Sequence, residues 1–307
     1  MTDINEVAEN IYMIDDQLCS IQKWGSVYLL NEERKALIDS GPASSSRVVL
    51  DGIKRIGINP QNIDYIIVTH IHLDHAGGAW LLLEDMPQAQ VLVHHKGAKH
   101  LVNPAKLISS MAGVSGEEIA KEYGEILPIQ SHRVKGVYEG DTLRLSGRQI
   151  LKFIDAPGHA PHELCIYESR NGGVFIGDVL GAYLSDYEIL LPYHPPPNFN
   201  FELSASTIKR LMQLNATKLY FAHFGTSSKV QENLQEALDK LQVWGDMLAR
   251  AIGEGTLDST RERIIAQACA ELDSVHKSKD LFEFLTKYYL PICAGGHIKY
   301  HQEQYNT

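Results

Sequence analysis

Cysteine is scarce and scattered in this chain. Cys19, Cys165, Cys269 and Cys293 are the whole set in 307 residues. No two form a C-x-x-C pair, which removes zinc knuckles and dithiol redox motifs. Four cysteines in so long a chain also make a poor disulfide scaffold. No run approaches the roughly 18 apolar residues of a membrane span, and the opening MTDINEVAEN is too acidic and polar for a secretory signal. A cytoplasmic protein without membrane contact is the expectation. Basic residues are outnumbered, with 28 Lys and Arg against 38 Asp and Glu and a formal net charge of -10. A nucleic-acid partner is therefore not expected, because phosphate binding shows as clustered positive charge. P-loop, G-x-G-x-x-G and G-x-S-x-G patterns are absent as well.

What is present is an ordinary globular composition, 44% hydrophobic and 21% charged, enough for one large domain or a domain with an appendage. Short strands are predicted at NIYMID, SVYLL and ALID, and a helix at SSRVVLDGIKRIG. YIIVTH reads as a buried central strand, GAWLLLEDM as a helix and QVLVHH as a strand. Residues 96–130 are mixed, with a helix at EEIAKEYGEI. Strand signals return at HRVKGV, DTLRLSG, QILKFIDA, LCIYES and GVFIGD. The proline-rich LPYHPPPNFNF cannot sit within a sheet. SASTIKRLMQL reads as a helix with a serine start, and KLYFAH as a last strand. From residue 227 to 307 the pattern is helical, with a polar break at LDSTR. Strands in two sets, each followed by helices, predict an α/β (α+β) fold of two mixed sheets face to face with helices outside.

The chemistry is concentrated in IIVTHIHLDHAGG. His70, His72, Asp74 and His75 fall within six positions after an apolar β-branched run. Accident would produce the pattern in roughly two per thousand such chains, and unpaired polar rings beside a core are costly. If the strand continues, His70, His72 and Asp74 face one way, and Ala76-Gly77-Gly78 provides a turn that brings in His75. Imidazole and carboxylate donors suit Zn²⁺, Fe or Mn. Further donors are available where apolar runs end: His159 in FIDAPGHAPHE, Asp178 in GGVFIGDVLG and His223 in KLYFAHFG.

The order His-x-His-x-Asp-His, Gly-His, Gly-Asp and strand-end His resembles the metallo-β-lactamase-fold superfamily in its glyoxalase II-like branch, over about residues 8–226. The resemblance implies a four-layer αββα sandwich, catalytic over residues 1–226, with the helical region 227–307 completing the substrate pocket. It implies two divalent cations, Zn²⁺ first, with Fe or Mn as alternatives. His70, His72 and His159 would hold one, Asp74, His75 and His223 the other, and Asp178 would bridge them. His162 would support the site through a ligand, and Asp74 would also accept a hydrogen bond from the attacking hydroxide. A class B β-lactamase would not normally carry this bridging aspartate, and flavodiiron proteins carry Glu where this chain has His72. Ser206-Thr207-Ile208-Lys209 matches S-x-x-K of serine β-lactamases but lacks the accompanying S-D-N and K-T-G; Ser204 and Ser206 read instead as helix-start residues.

The implied function is hydrolysis of a thioester, ester or lactone by a metal-bridging hydroxide, acting on a small molecule in a monomer or homodimer. A mononuclear iron persulfide dioxygenase, a phosphodiesterase and a metal-containing ligand-binding regulator are the rivals. Tyr183, Tyr187, Tyr193 and His194 lie in the loop after Asp178, and one could donate a hydrogen bond to a substrate carbonyl. Lys277, Lys279, Lys287 and Lys299 are the cations available to a glutathione thioester. His94, His95, His100, His132, His276, His297 and His301 read as structural.

Overall fold

The computed structural model describes residues 2–305. Its first sheet has seven strands adjacent in chain order: β1 (Ile4–Ala8), β2 (Ile11–Asp15), β3 (Ser26–Leu30), β4 (Lys35–Ile38), β5 (Ile63–Ile67), β6 (Gln90–His94) and β7 (Val134–Val137). β1 to β4 pair antiparallel, and β4 to β7 pair parallel. Each parallel step needs a crossover. These are α1 (Ser46–Arg55), the pair α2 (Leu73–Ala76) and α3 (Ala79–Asp85), and the pair α4 (Ala98–Val102) and α5 (Ala105–Glu122).

The second sheet is built from β8 (Thr142–Arg144), β9 (Ile150–Asp155), β10 (Leu164–Glu168), β11 (Gly173–Phe175), then β14 (Lys218–Phe221) and β15 (Gly225–Ser227), in the order β15-β14-β11-β10-β9-β8. Between β11 and its parallel partner β14 the chain makes a hairpin, β12 (Ala182–Leu184) with β13 (Ile189–Leu191), and then α6 (Phe201–Leu211). The C-terminal helices are α7 (Val230–Glu254), α8 (Leu257–Glu271), α9 (Lys279–Phe284) and α10 (Leu290–Tyr305), with a π-helical turn over residues 285–289.

Strand alternation sorts residues between layers. In β3, Tyr28 and Leu30 join Phe153, Phe175 and Tyr220 between the sheets, while Val27 and Leu29 pack outward against Val49 and Ile53 of α1. In β10, Ile166 faces inward and Cys165 faces α6 and α7. Sheets buried on both faces explain the continuous apolar runs. The architecture is the expected four-layer sandwich. The helices after residue 227 share its cores: Leu234 and Tyr300 pack with the second sheet, and Phe284 and Tyr289 pack on Trp24.

Several local expectations are corrected. β1 lies in a segment read only for its polarity. α6 starts at Phe201, where the Asn200 side chain accepts from the Leu203 N–H at 2.9 Å; Ser204 and Ser206 lie inside the helix rather than at its start. LDSTR is the first turn of α8. The break precedes it at Gly255, whose φ of 71° ends α7. α5 is longer than EEIAKEYGEI and bends at Gly116, φ 82°.

Gly296 of α10 abuts the backbone of the proline loop. A Cβ there would collide with the His194 carbonyl oxygen and lie 2.8 Å from the Pro195 carbonyl carbon. Gly296→Ala is expected to cost about 2 kcal/mol by overpacking, read as a lower urea midpoint at unchanged slope.

Candidate metal centre

β5 stops at Ile67, so the motif does not continue as a strand. Thr69 to His72 run past the sheet edge, and Leu73–Ala76 form a helical turn. Asp74 therefore does not share a strand face with His70 and His72, and His75 needs no later turn, because both come from α2. The structure sorts the motif into two groups of potential metal donors: His70 and His72 with His159 and Asp178, and Asp74 and His75 with His223. Within each group one atom per residue lies within 4.8 Å of all the others.

The distances are short. His72 Nδ1 stands 2.9 Å from both His70 Nε2 and His159 Nε2. Asp74 Oδ2 is 3.7 Å from His75 Nε2 and 3.6 Å from His223 Nε2. Asp178 faces both groups: Oδ2 is 3.5 Å from His159 Nε2 and 3.4 Å from His75 Nε2, and Oδ1 is 3.6 Å from His223 Nε2. Donors around a tetrahedral Zn²⁺ stand roughly 3.3 Å apart, given bonds of about 2.0–2.1 Å. Both Asp178 oxygens, His75 Nε2 and His223 Nε2 are buried without a hydrogen-bond partner. Such atoms are costly unless something else satisfies them, and the donor set fits cations.

The outward nitrogens are anchored. His159 Nδ1 donates to the Tyr193 carbonyl at 3.1 Å and His223 Nδ1 to the Trp24 carbonyl at 3.2 Å. A carbonyl only accepts, so each ring carries its proton on Nδ1 and turns the Nε2 lone pair inward. His75 Nδ1 lies 3.0 Å from Asp39 Oδ2, and Asp39 also accepts from the Thr69 amide at 2.7 Å and the Thr69 hydroxyl at 3.0 Å. Glu163 Oε1 accepts from the Asp178 amide at 2.7 Å. Gly177, at φ 52°, passes where a Cβ would stand 2.8 Å from that oxygen. Sequence reasoning missed Trp24, Asp39 and Glu163. Asp39 carried a usable signal, an acid ending the apolar run ALID before Gly41, the logic that found Asp178.

Electrostatics divides the histidines. Burial, helped by neighbouring imidazoles, holds His70 well below its usual range, and burial with His159 lowers His72 to about 3. Burial also opposes protonation of His75 and His223, but Asp178 and Asp74 outweigh it and raise both. Burial opposes ionisation of Asp74 and Asp178 too, yet the imidazoles win: Asp74 falls to about 2 and Asp178 is held far below the carboxylate range. Burial and the Asp178 charge push Glu163 up.

The remaining candidates spread out. His162 lies 5.9 Å from His72 between ring centres, its buried Nδ1 without a hydrogen-bond partner. Tyr193 packs 5.3 Å from His159 and 5.9 Å from His223, whereas Tyr183 stacks on Phe221. His194 pairs with His297 at 2.8 Å, and His94 faces Asp155 at 3.3 Å. His95 stacks on Tyr138.

A cavity of about 330 Å³ includes His72, Asp74, His162 and Tyr193 in its walls. No described residue after 227 lines it. The C-terminal helices support it from behind, through Tyr289 stacked on Tyr193 at 4.6 Å and Gly296 against the proline loop. The four late lysines are not in its wall; Lys106 is. No described helix is long and apolar enough to cross a membrane.

Comparison with known proteins agrees with this geometry. The fold-containing protein ST1585 of Sulfurisphaera tokodaii is 29% identical over 59% of this chain and 69% of its own length. Its solved structure superposes with a TM-score of 0.64 at 26% identity, covering 75% of this chain and 85% of that one. An N-acyl homoserine lactonase from a Bacillus species is 28% identical over 58% of this chain and 61% of its own length. The flavo-diiron protein FprA2 of Clostridium acetobutylicum is 26% identical over 58% of this chain and 40% of its own. Residues 25–223, well over half the chain and all seven donors, match the model of the metallo-beta-lactamase superfamily, and the chain belongs to that superfamily.

Proposed function

We propose that this protein is a metal-dependent hydrolase of a thioester, ester or lactone, with two divalent cations held by the seven donors. The observation that carries it is Asp178, buried between two donor groups with both oxygens unpartnered. His70, His72 and His159 would hold one cation, Asp74, His75 and His223 the other, and Asp178 would bridge. Such a pair, when bound, supplies an ionised water at neutral pH and polarises the substrate carbonyl.

The chain's own residues do the rest. Asp74, ionised and part of the cavity wall, would accept a hydrogen bond from the attacking oxygen and aim it. Asp39 fixes the His75 ring, so Asp39→Asn is expected to weaken zinc at that group about 10- to 100-fold, measured by chelator competition. Burial, together with the Asp74 and Asp178 charges, raises the Tyr193 phenol. It stays protonated and can donate to the substrate oxygen. Tyr193→Phe should lower kcat on the order of tenfold to a hundredfold with little change in KM.

The glyoxalase II-like motif order supports hydrolysis, and the relative named as a lactonase supports the lactone arm. A mononuclear iron dioxygenase is less favoured, because it would leave Asp74, His75 and His223 with no task. A phosphodiesterase is disfavoured by a cavity wall with one ammonium. The test is a metal count on protein purified without chelator, followed by thioesters, esters, lactones and bis(p-nitrophenyl) phosphate. Two cations per chain with carbonyl hydrolysis are expected. One iron with oxygen uptake on a persulfide would overturn the reading.

A further inference from the structure

We infer that the cavity beside Asp74 is an acyl-chain chamber, and that the substrate carries an unbranched hydrocarbon of about six to ten carbons on its reacting carbonyl. This rests on the hydrolase reading and adds the substrate class to it. The cavity is lined in larger part by apolar groups, with His100, Lys106, Ser110, Ser115, Tyr123 and Asn198 as further polar members. Leu107, Met111 and Val114 of α5 face it, with Ile71 and Leu73 of the metal motif and the Pro195–Pro197 turn.

The spacing on α5 is informative. Leu107, Met111 and Val114 recur at i, i+4 and i+7, one stripe of a helix. Leu107, Met111 and Val114 are half-buried in the cavity wall, Leu107 and Met111 also touching the neighbouring cores, and Ile119 is the one buried residue of α5. Part of this apolar stripe stays open to the chamber, and a hydrocarbon ligand would cover it.

Polarity decides which part of the substrate enters. The leaving alkoxide or thiolate gains negative charge as the bond breaks and must be stabilised or protonated. Leu107, Met111, Val114 and the prolines offer neither, and an anion against them would be penalised. A leaving group could enter only against Lys106, His100, Ser110 or Ser115, whereas the acyl chain gains from the whole apolar part. The uncharged acyl chain therefore points into the chamber, and the leaving group faces solvent. At roughly 30 Å³ for each water-sized group, a volume of about 330 Å³ holds the carbonyl and a chain of the stated length. Lys106, the ammonium in the wall, sits one position before the stripe begins.

The test varies the two sides separately. Thioesters from acetyl to dodecanoyl are compared on one thiol, and acetyl esters on alcohols of increasing length. With about fourfold gain per buried methylene, kcat/KM should rise on the order of a thousandfold or more from acetyl to octanoyl and level off by dodecanoyl. The alcohol series should stay flat. Met111→Trp, on a half-exposed helix face, should lower the octanoyl-to-acetyl ratio at least tenfold, and Val114→Trp should do the same. A flat acyl series, a steep alcohol series or an unchanged ratio in both variants overturns the chamber while leaving the hydrolase reading intact. If nothing is hydrolysed, that reading fails, and the chamber is decided by calorimetry with octanamide. Saturable binding weakened at least tenfold by Met111→Trp supports it; no binding by the wild type overturns it.

Discussion

Asp178→Ala lowers kcat/KM on the best carbonyl substrate on the order of 10³-fold or more, and metal content falls below two per chain. Losing an orienting partner behind a ligand already costs about 10- to 100-fold, and Asp178 faces four imidazoles across both groups. Its charge is also among the largest influences raising His75 and His223. Without it Asp74 is the one carboxylate left among the donors, and cation repulsion inside the site goes uncompensated. Asp178→Asn separates the two effects, because it keeps the shape and removes the charge. Metal analysis by mass spectrometry alongside steady-state kinetics is the measurement. Full activity with two cations in either variant would remove Asp178 from the bridging role.

Chelation has the second largest effect. Each site kept at about 100-fold its Kd adds about 2.7 kcal/mol. Stripping both should thus lower the melting temperature by about 10 °C and abolish turnover, and added Zn²⁺ should restore both. Acid should act in the same direction. His70 and His72 are held neutral by burial, His72 to about 3, and burial also lowers His162 to about 2. For a base whose folded pKa is depressed, the unfolded chain takes up protons first as pH falls. Stability is therefore full above the unfolded value near 6.5 and is lost progressively below it. His75 and His223, raised in the folded chain, have the opposite sign: in metal-free protein their contribution is full below pH 6.5 and fades as pH rises through the folded values. Bound cations need neutral imidazoles and reverse that contribution. The loaded protein should therefore lose metal and stability together below about pH 6, read by calorimetry with a zinc-sensitive dye. A melting temperature indifferent to chelator would leave the seven donors without cations to bind.

All seven candidate donors stand out in the sequence because each ends an apolar run or sits in the turn after it, and the loops at a sheet edge are where such residues gather. The two-sheet architecture was legible for the related reason that strands buried on both faces read as uninterrupted apolar runs. The grouping of the motif came from the family resemblance and not from local periodicity. Period-two alternation put Asp74 with His70 and His72, whereas the chain turns helical at Leu73 and delivers Asp74 and His75 to the other group. Nor was α5 legible at its full length, since its apolar stripe faces a cavity and two glycines, Gly113 and Gly116, interrupt its pattern.

By itself the sequence determined which residue types could hold cations, and that two mixed sheets would carry them. Only the tertiary structure decided at what distances those residues meet across more than a hundred positions of chain. It alone placed Asp39, Trp24 and the Tyr193 carbonyl behind the rings, and it set α5 and the prolines, rather than the C-terminal helices, around the cavity. The physical reason is range. Burial and periodicity act between neighbours along the chain and leave a mark there, whereas the convergence of charges from separate strand ends is fixed by sheet order and crossover packing, which no local pattern records.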